Sequence, residues 1–256
     1  MSDRERALAF LRAIDDRAST RVEKFRFGTA YFCPELPTVW VRNFIWVEAA
    51  VQEDDLPELL REAEERHARA GLGHRRLVFA DPDSGDRAAA LLGPSGWRVQ
   101  GDRMMVYRGR AEAITAPSEP QVEEVEHDVL RPGFVAAYRE HPDVQSQETV
   151  DHLLKADRLV SQETAERCFA RLVDGAVASY CRLYSDGETA QIEDVMTLPA
   201  FRKRGYAGAV VTAALRAAVA SHDMTFLLAA EDDWPKHWYE RLGFEGVGLL
   251  RELLRT

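Results

Sequence analysis

The stretch 191-QIEDVMTLPAFRKRGYAGAVVTAALRAAVA-220 decides the fold. Gln191–Thr197 reads as a strand, and Leu198-Pro199 ends it because proline has no N–H for a ladder. Residues Arg202 to Gly208 then open a helix in which Val210, Val211, Ala214, Leu215, Ala218 and Val219 recur at the helical period. A helix start leaves N–H groups without partners and carries partial positive charge. Gly205 and Gly208 clear side chains from its approach, and Arg202, Lys203 and Arg204 add full charges. The turn is therefore a seat for a pyrophosphate. The bland alternative is a helix that starts after a basic surface turn.

Outward from this unit the chain reads as alternating strands and helices. Downstream come a strand at Thr225–Ala230, expected to run parallel to its predecessor by the crossover rule, a short helix at Pro235–Arg241 and a last strand at Glu245–Leu253. Upstream, Glu166–Val173 and Ala176–Tyr184 form a hairpin across Asp174-Gly175, preceded by a strand at Val122–Glu126 and helices at Gly133–Arg139 and Glu148–Asp157. The first half starts with a helix at Asp3–Ala18. It continues through strands at Arg21–Phe32, Val39–Val47 and Leu77–Ala80, with helices at Asp54–Arg69 and Asp86–Leu92, to a closing strand or hairpin at Trp97–Tyr107. Between the halves, Ala111–Gln121 holds two prolines and few large hydrophobes, and reads as a linker.

A weak repeat joins the halves. Leu77-Val78-Phe79-Ala80 followed by Gly96-Trp97 parallels Phe226-Leu227-Leu228-Ala229 followed by Gly243-Phe244. Where the second half has its basic turn, the first has Gln52-Glu53-Asp54-Asp55, whose three carboxylates would repel a pyrophosphate. The alternative is that any two α/β units look alike at this level.

Arg202-x-x-Gly205-x-Ala207 resembles the coenzyme A loop of the GCN5-related N-acetyltransferases, the GNAT family, and Val195-x-Thr197-x-Pro199 resembles the strand that leads into it. Trp238-Tyr239-Glu240-Arg241-Leu242-Gly243-Phe244 is similar to that family's aromatic-Tyr-x-x-x-Gly-Phe segment. The resemblance implies an α/β chain of two tandem lobes, each a mixed sheet with flanking helices. Residues 1–115 would be a degenerate lobe and residues 116–256 the catalytic one. It implies acetyl-CoA as co-substrate, held by Val195, Met196 and Thr197 and by the loop Arg202, Lys203, Arg204, Gly205, Tyr206, Ala207 and Gly208. Tyr239 would protonate the departing thiolate.

Alternation along the central strand puts Gln191, Glu193, Val195 and Thr197 on one face and Ile192, Asp194 and Met196 on the other. Glu193 is then the carboxylate placed to take a proton from an incoming ammonium, whose pKa is near ~10, and Asp194 points away. Glu231-Asp232-Asp233 stands where the family often has Asn and Ala. These carboxylates line a pocket for a cationic acceptor or cap the next helix.

No residue presents itself as a covalent nucleophile, so transfer is expected to be direct. The acceptor is a small-molecule or peptide amine. The rival reading is a non-catalytic acyl-CoA-binding sensor or scaffold on the same fold.

Composition narrows the rest. A net charge of −10 argues against non-specific nucleic-acid binding. Cys33, Cys168 and Cys181 are far apart and odd in number, which points to reduced thiols in a cytoplasmic protein. No apolar run is long enough for a membrane span. The seven histidines are scattered without a His-x-x-x-His pair, so no metal site is expected. Monomer and homodimer both remain open.

Overall fold

The chain's computed structural model describes residues 1–110, 114 and 120–256. The expected linker falls largely on residues outside this set. The described residues form two compact units, and neither is one continuous stretch. The N-terminal unit comprises Ser2–Met104, Ala229–Trp238 and Gly246–Thr256. The C-terminal unit comprises Met1, Met105–Leu228 and Tyr239–Glu245.

In the N-terminal unit, α1 (Asp3–Ala18) is fixed at its start by a capping box between Ser2 and Glu5. The single strand expected over Arg21–Phe32 is a hairpin, β1 (Arg21–Phe25) and β2 (Gly28–Phe32), which turns at Arg26-Phe27. The run Val39–Val47 is extended only over β3 (Phe44–Val47), after a 3-10 turn at Trp40–Arg42. The cause is Asn43. Its buried side chain accepts from the Cys33 N–H and donates to the Leu36 and Val39 carbonyls, which fastens the preceding loop and interrupts the strand. A 3-10 turn at Glu53–Asp55 leads into α2 (Leu56–Arg69). Then follow β4 (Arg75–Phe79), α3 (Pro82–Leu92) and β5 (Arg98–Tyr107).

The unit's sheet runs β1-β2-β3-β4 and is continued by β11 (Phe244–Arg255), which pairs antiparallel with β4 through Leu253↔Leu77. β3 and β4 are parallel. Phe32, Ile45, Leu59, Leu77, Phe79 and Leu253 form its core.

That core also buries two imidazoles. His67 Nδ1 meets the Ala63 carbonyl at 2.9 Å, and its Nε2 accepts from the Arg76 N–H at 3.3 Å. His74 Nε2 meets the Asn43 carbonyl at 2.9 Å. The two rings lie edge to face, 5.8 Å apart. Burial pushes both pKa values down to about 4. The unfolded chain therefore binds protons below about pH 6.5 that the folded chain refuses until about pH 4. Stability should fall as pH drops through that window, by up to about 3 kcal/mol per ring. Urea midpoints measured against pH should show a slope that His67→Gln reduces. An unchanged slope would count against the account.

In the C-terminal unit, β6 (Glu123–Val125), β7 (Arg167–Val173), β8 (Ala176–Ser185) and β9 (Thr189–Thr197) are successively antiparallel, and β10 (Met224–Ala230) is parallel to β9. Asp174 and Gly175 at the β7–β8 turn both have positive φ, 50° and 77°, as the tight hairpin turn requires. α4 (His127–Glu140) starts earlier than Gly133 and carries Pro132 inside. That proline has no N–H to offer the Asp128 carbonyl, yet the helix passes through it. α5 (Gln147–Glu163) packs on α4. α6 (Tyr206–Val219) covers β7, β8 and β9. α7 (Pro235–Leu242) precedes β11. Among the described residues, no helix is long and apolar enough to cross a membrane.

Candidate active site

The site is built at the point where β9 parts from its neighbour. β9 pairs with β10 from Thr189↔Met224 only to Ile192↔Leu227, so the β10 side of Glu193–Thr197 has no strand partner there. On its other side β9 is bulged against β8. Glu193 faces Arg182 and Met196 faces Tyr180. Between these pairs β8 has one residue, Cys181, and β9 has two, Asp194 and Val195. Asp194 takes φ 51°, in the left-handed region that L-residues other than Asn and Asp seldom enter.

The bulge overturns the simple alternation. Directly paired residues share a face, so Gln191, Glu193 and Met196 lie with Tyr184, Arg182 and Tyr180, on the side of α4 and α5. Met196 packs there against the cluster of Leu130, Phe134 and Tyr180. Thr197 turns to the other side, its hydroxyl 2.8 Å from that of Ser179. Asp194, expected to point away from Glu193, binds Arg182 across the pair that Glu193 completes. Glu193 is part-buried and accepts from the Gln191 amide.

Arg182 is the feature that strand and helix patterns did not reveal. Its side chain is 5% exposed and lies between the rings of Phe134 and Tyr184, 5.2 Å from each. It pairs with Asp157 at 3.1 Å, Glu166 at 3.4 Å and Asp194. Asp157 also accepts from the Tyr138 phenol. Burial raises the Asp157 pKa, against the pull of Arg182. Burial would raise Glu166 too, but hydrogen bonds from His127 and Ser161 and the charge of Arg182 hold it below the usual carboxylate range. One signal for this network was present in the sequence, a lone cation in the apolar run Ala176–Ser185.

Donor atoms of His127, Glu166 and Cys168 lie within 4.8 Å of one another. Glu166 is already engaged by Arg182, and burial pushes the Cys168 thiol up to about 12. The group is a hydrogen-bonded cluster beside a buried cation, a poor donor set for a metal ion.

The loop after β9 differs in detail from the expectation. Residues Pro199–Phe201 make a 3-10 turn, and α6 begins at Tyr206. Arg202 folds back, donating from Nε to the Thr197 carbonyl at 3.1 Å and pairing with Glu140 at 3.1 Å. Lys203 and Arg204 are exposed. Gly205 is the N-cap at φ 79°, with open space where a Cβ would stand. Glycine is thus required here by backbone conformation, not by crowding. No side chain caps α6, and its first turn holds no acidic residue. The N–H groups of Tyr206, Ala207 and Gly208 therefore have no helical acceptor and face outward in the field of the helix. By contrast α1, α3 and α5 are each capped by their own Ser or Asp side chain.

Tyr239 is the one buried residue of α7, at 6% exposure. Its ring packs edge-on against Phe244 at 5.9 Å. Burial, and then the charge of Glu193, push its pKa above the usual phenol value. The phenol keeps its proton throughout the physiological range, as a proton donor must.

Residues 131–244 match the family described as Acetyltransferase (GNAT) family, whose members carry out acyl-CoA-dependent acyl transfer. Comparison with curated proteins finds no match. Among solved structures, a conserved protein of unknown function from Staphylococcus epidermidis superposes with TM-score 0.71 at 13% identity, covering 93% of this chain and 94% of that one. A GCN5-related N-acetyltransferase from Kribbella flavida gives 0.68 at 16%, covering 99% and 95%. A tandem GNAT protein from the clavulanic acid biosynthesis pathway gives 0.57 at 13%, covering 82% and 73%. At these identities the likeness is one of fold.

Proposed function

From the GNAT acetyltransferase domain over residues 131–244, we propose that this chain moves an acetyl group from acetyl-CoA to a primary amine by direct transfer. The single observation that carries the reading is the uncapped start of α6 beside the unpaired edge of β9. The first offers N–H groups with no helical acceptor, and the second a strand edge that among the described residues has no strand beside it beyond Ile192, in the order that a pyrophosphate and an extended amide-bearing arm require. The residues fit the co-substrate. The N–H groups of Tyr206, Ala207 and Gly208, with Lys203 and Arg204, would hold the pyrophosphate. The backbone of Val195, Met196 and Thr197 would hold the arm. Arg202 would act through the loop, which it ties to Thr197.

Acetyl-CoA supplies an acyl thioester. Glu193, directly or through water, takes the proton that the acceptor ammonium must lose to become nucleophilic. The amine nitrogen then forms a bond to the thioester carbonyl carbon, the carbon–sulfur bond breaks, Tyr239 gives its proton to the departing thiolate, and the surplus proton on the new amide nitrogen restores the phenol, directly or through water. Residues 1–115 form the degenerate lobe in this reading. The start of α2 lacks a seat for phosphate, since Asp55 caps Gln52 and the turn before it is acidic.

Calorimetry with acetyl-CoA tests the binding half. Gly205→Glu forces a side chain into φ 79° and adds a negative charge at the helix start. It should weaken acetyl-CoA about 100-fold, equivalent to roughly 3 kcal/mol. Unchanged affinity would refute the seat. Thiol release over a panel of amines tests the transfer, and binding without release on any amine would favour a sensor.

A further inference from the structure

The bulge of β9 has a twin in the N-terminal unit. After the pair Gly28↔Val47, the N–H groups of Glu48 and Ala49 both donate to the Phe27 carbonyl, at 2.9 and 3.1 Å. Two residues directly after β3 thus oppose one residue directly before β2, as Asp194 and Val195 oppose Cys181. In both units the bulged strand is parallel to the next one and is followed by a helix. Glu48 stands in the N-terminal unit where Asp194 stands in the C-terminal one.

A cavity of about 470 Å³ opens against this second bulge. Its lining includes Arg12, Asp16, Lys24, Phe25, Phe27 and Glu48. Two of its charges are already satisfied by each other, since Glu48 pairs with Arg12 at 3.0 Å and accepts from Thr29 at 3.1 Å. Two are not. Asp16 accepts only the Tyr31 phenol, at 2.8 Å, and among the described residues no cation pairs with it. Lys24 is exposed, and among the described residues no carboxylate pairs with it. The cavity therefore offers one unneutralised anion, one unneutralised cation and a phenylalanine wall.

A coenzyme does not suit it. The adjoining start of α2 carries Glu53, Asp54 and Asp55, and Arg26, a further cation of the lining, is consumed by Asp55 and Glu58. The volume lies in the range of small-molecule sites.

We propose that this cavity binds a small zwitterion of the free amino acid class. Its ammonium sits on Asp16, its carboxylate on Lys24 and its apolar part against Phe25. The site does not depend on the transfer chemistry of the other unit.

Calorimetry on the full chain with L-leucine and L-phenylalanine tests it, set against two single-charge probes, 3-phenylpropionate and phenethylamine. A zwitterion should bind at least 10-fold more tightly than either single-charge probe, because only it pairs both groups. Asp16→Asn and Lys24→Met, both at exposed positions, should keep the melting temperature and each weaken binding by about 10-fold. Gly205→Glu should leave zwitterion binding intact while acetyl-CoA binding falls, which separates this site from the coenzyme seat. The proposal is overturned if no zwitterion binds at millimolar concentration, if a single-charge probe binds as tightly, if both variants bind as wild type, or if acetyl-CoA displaces the zwitterion.

Discussion

Tyr239→Phe should lower kcat about 10²–10⁴-fold, the usual contribution of a positioned proton donor, while acetyl-CoA affinity changes less than threefold. The substitution is selective because the ring's work is separate from that of the hydroxyl. The ring packs on Phe244, which packs in turn on Tyr107 at 5.4 Å, and phenylalanine keeps those contacts. What disappears is a phenol held protonated by burial and by the charge of Glu193. Because that pKa is raised, Tyr239 contributes no inflection to the rate profile through neutrality. A rise of kcat with pH in that range would report loss of a proton elsewhere, at the acceptor ammonium. Steady-state kinetics by thiol release, with calorimetry on the same preparation, checks this. A variant within twofold of wild type in kcat would make Tyr239 a packing residue only.

The parts of this site that lie along the chain were legible in it. Proline at 199, glycine at 205 and the apolar period of Val210 to Val219 bound the strand, the turn and the helix. The strand ends at Thr197 and the helix runs from Tyr206 to Val219, as those signals put them. The bulge was not legible. It is a property of pairing, one extra residue of β9 against Cys181, and an alternating pattern has no symbol for it. That one residue moved Met196 to the face of Glu193, sent Thr197 to the other and brought Asp194 onto Arg182. The contacts of Arg202 were not legible for a related reason. A basic run carries no sign of loop geometry, but Lys203 and Gly205 take positive φ, 62° and 79°, in a loop where Arg202, still exposed, reaches back to Thr197. The second bulge, at Glu48-Ala49, was hidden in the same way, behind a run that read as unbroken strand.

Arg182→Met should cost about 3–5 kcal/mol of stability, because it strands buried carboxylates without their counter-ion. At about 2–4 °C per kcal/mol for a chain of this size, the melting temperature should fall by about 6–20 °C. The cost is not that of lost packing, since Met fills most of the space between Phe134 and Tyr184. It comes from Asp157 and Glu166, both buried and both facing the removed charge. Adding Asp157→Asn to Arg182→Met should therefore recover part of the loss, although Asp157→Asn alone is destabilising. Without Arg182 the raised folded-state pKa of Asp157 rises further, while Glu166 loses one of the pulls that hold it low. The folded chain then keeps a proton at Asp157 that the unfolded chain releases, so stability should fall more steeply than in the wild type as pH rises above about 4.

Asp194 separates the ionic role from the backbone role. Asp194→Gly removes the ion pair but accepts φ 51° freely. It should retain thiol release within about 10-fold if the bulge is what aligns Val195–Thr197. Asp194→Val opposes the left-handed conformation and should lose both stability and acetyl-CoA affinity. If glycine and valine behave alike, Arg182 serves the bulge through charge alone. If only valine fails, the cation's task is to hold in place a backbone conformation that the strand would otherwise relax.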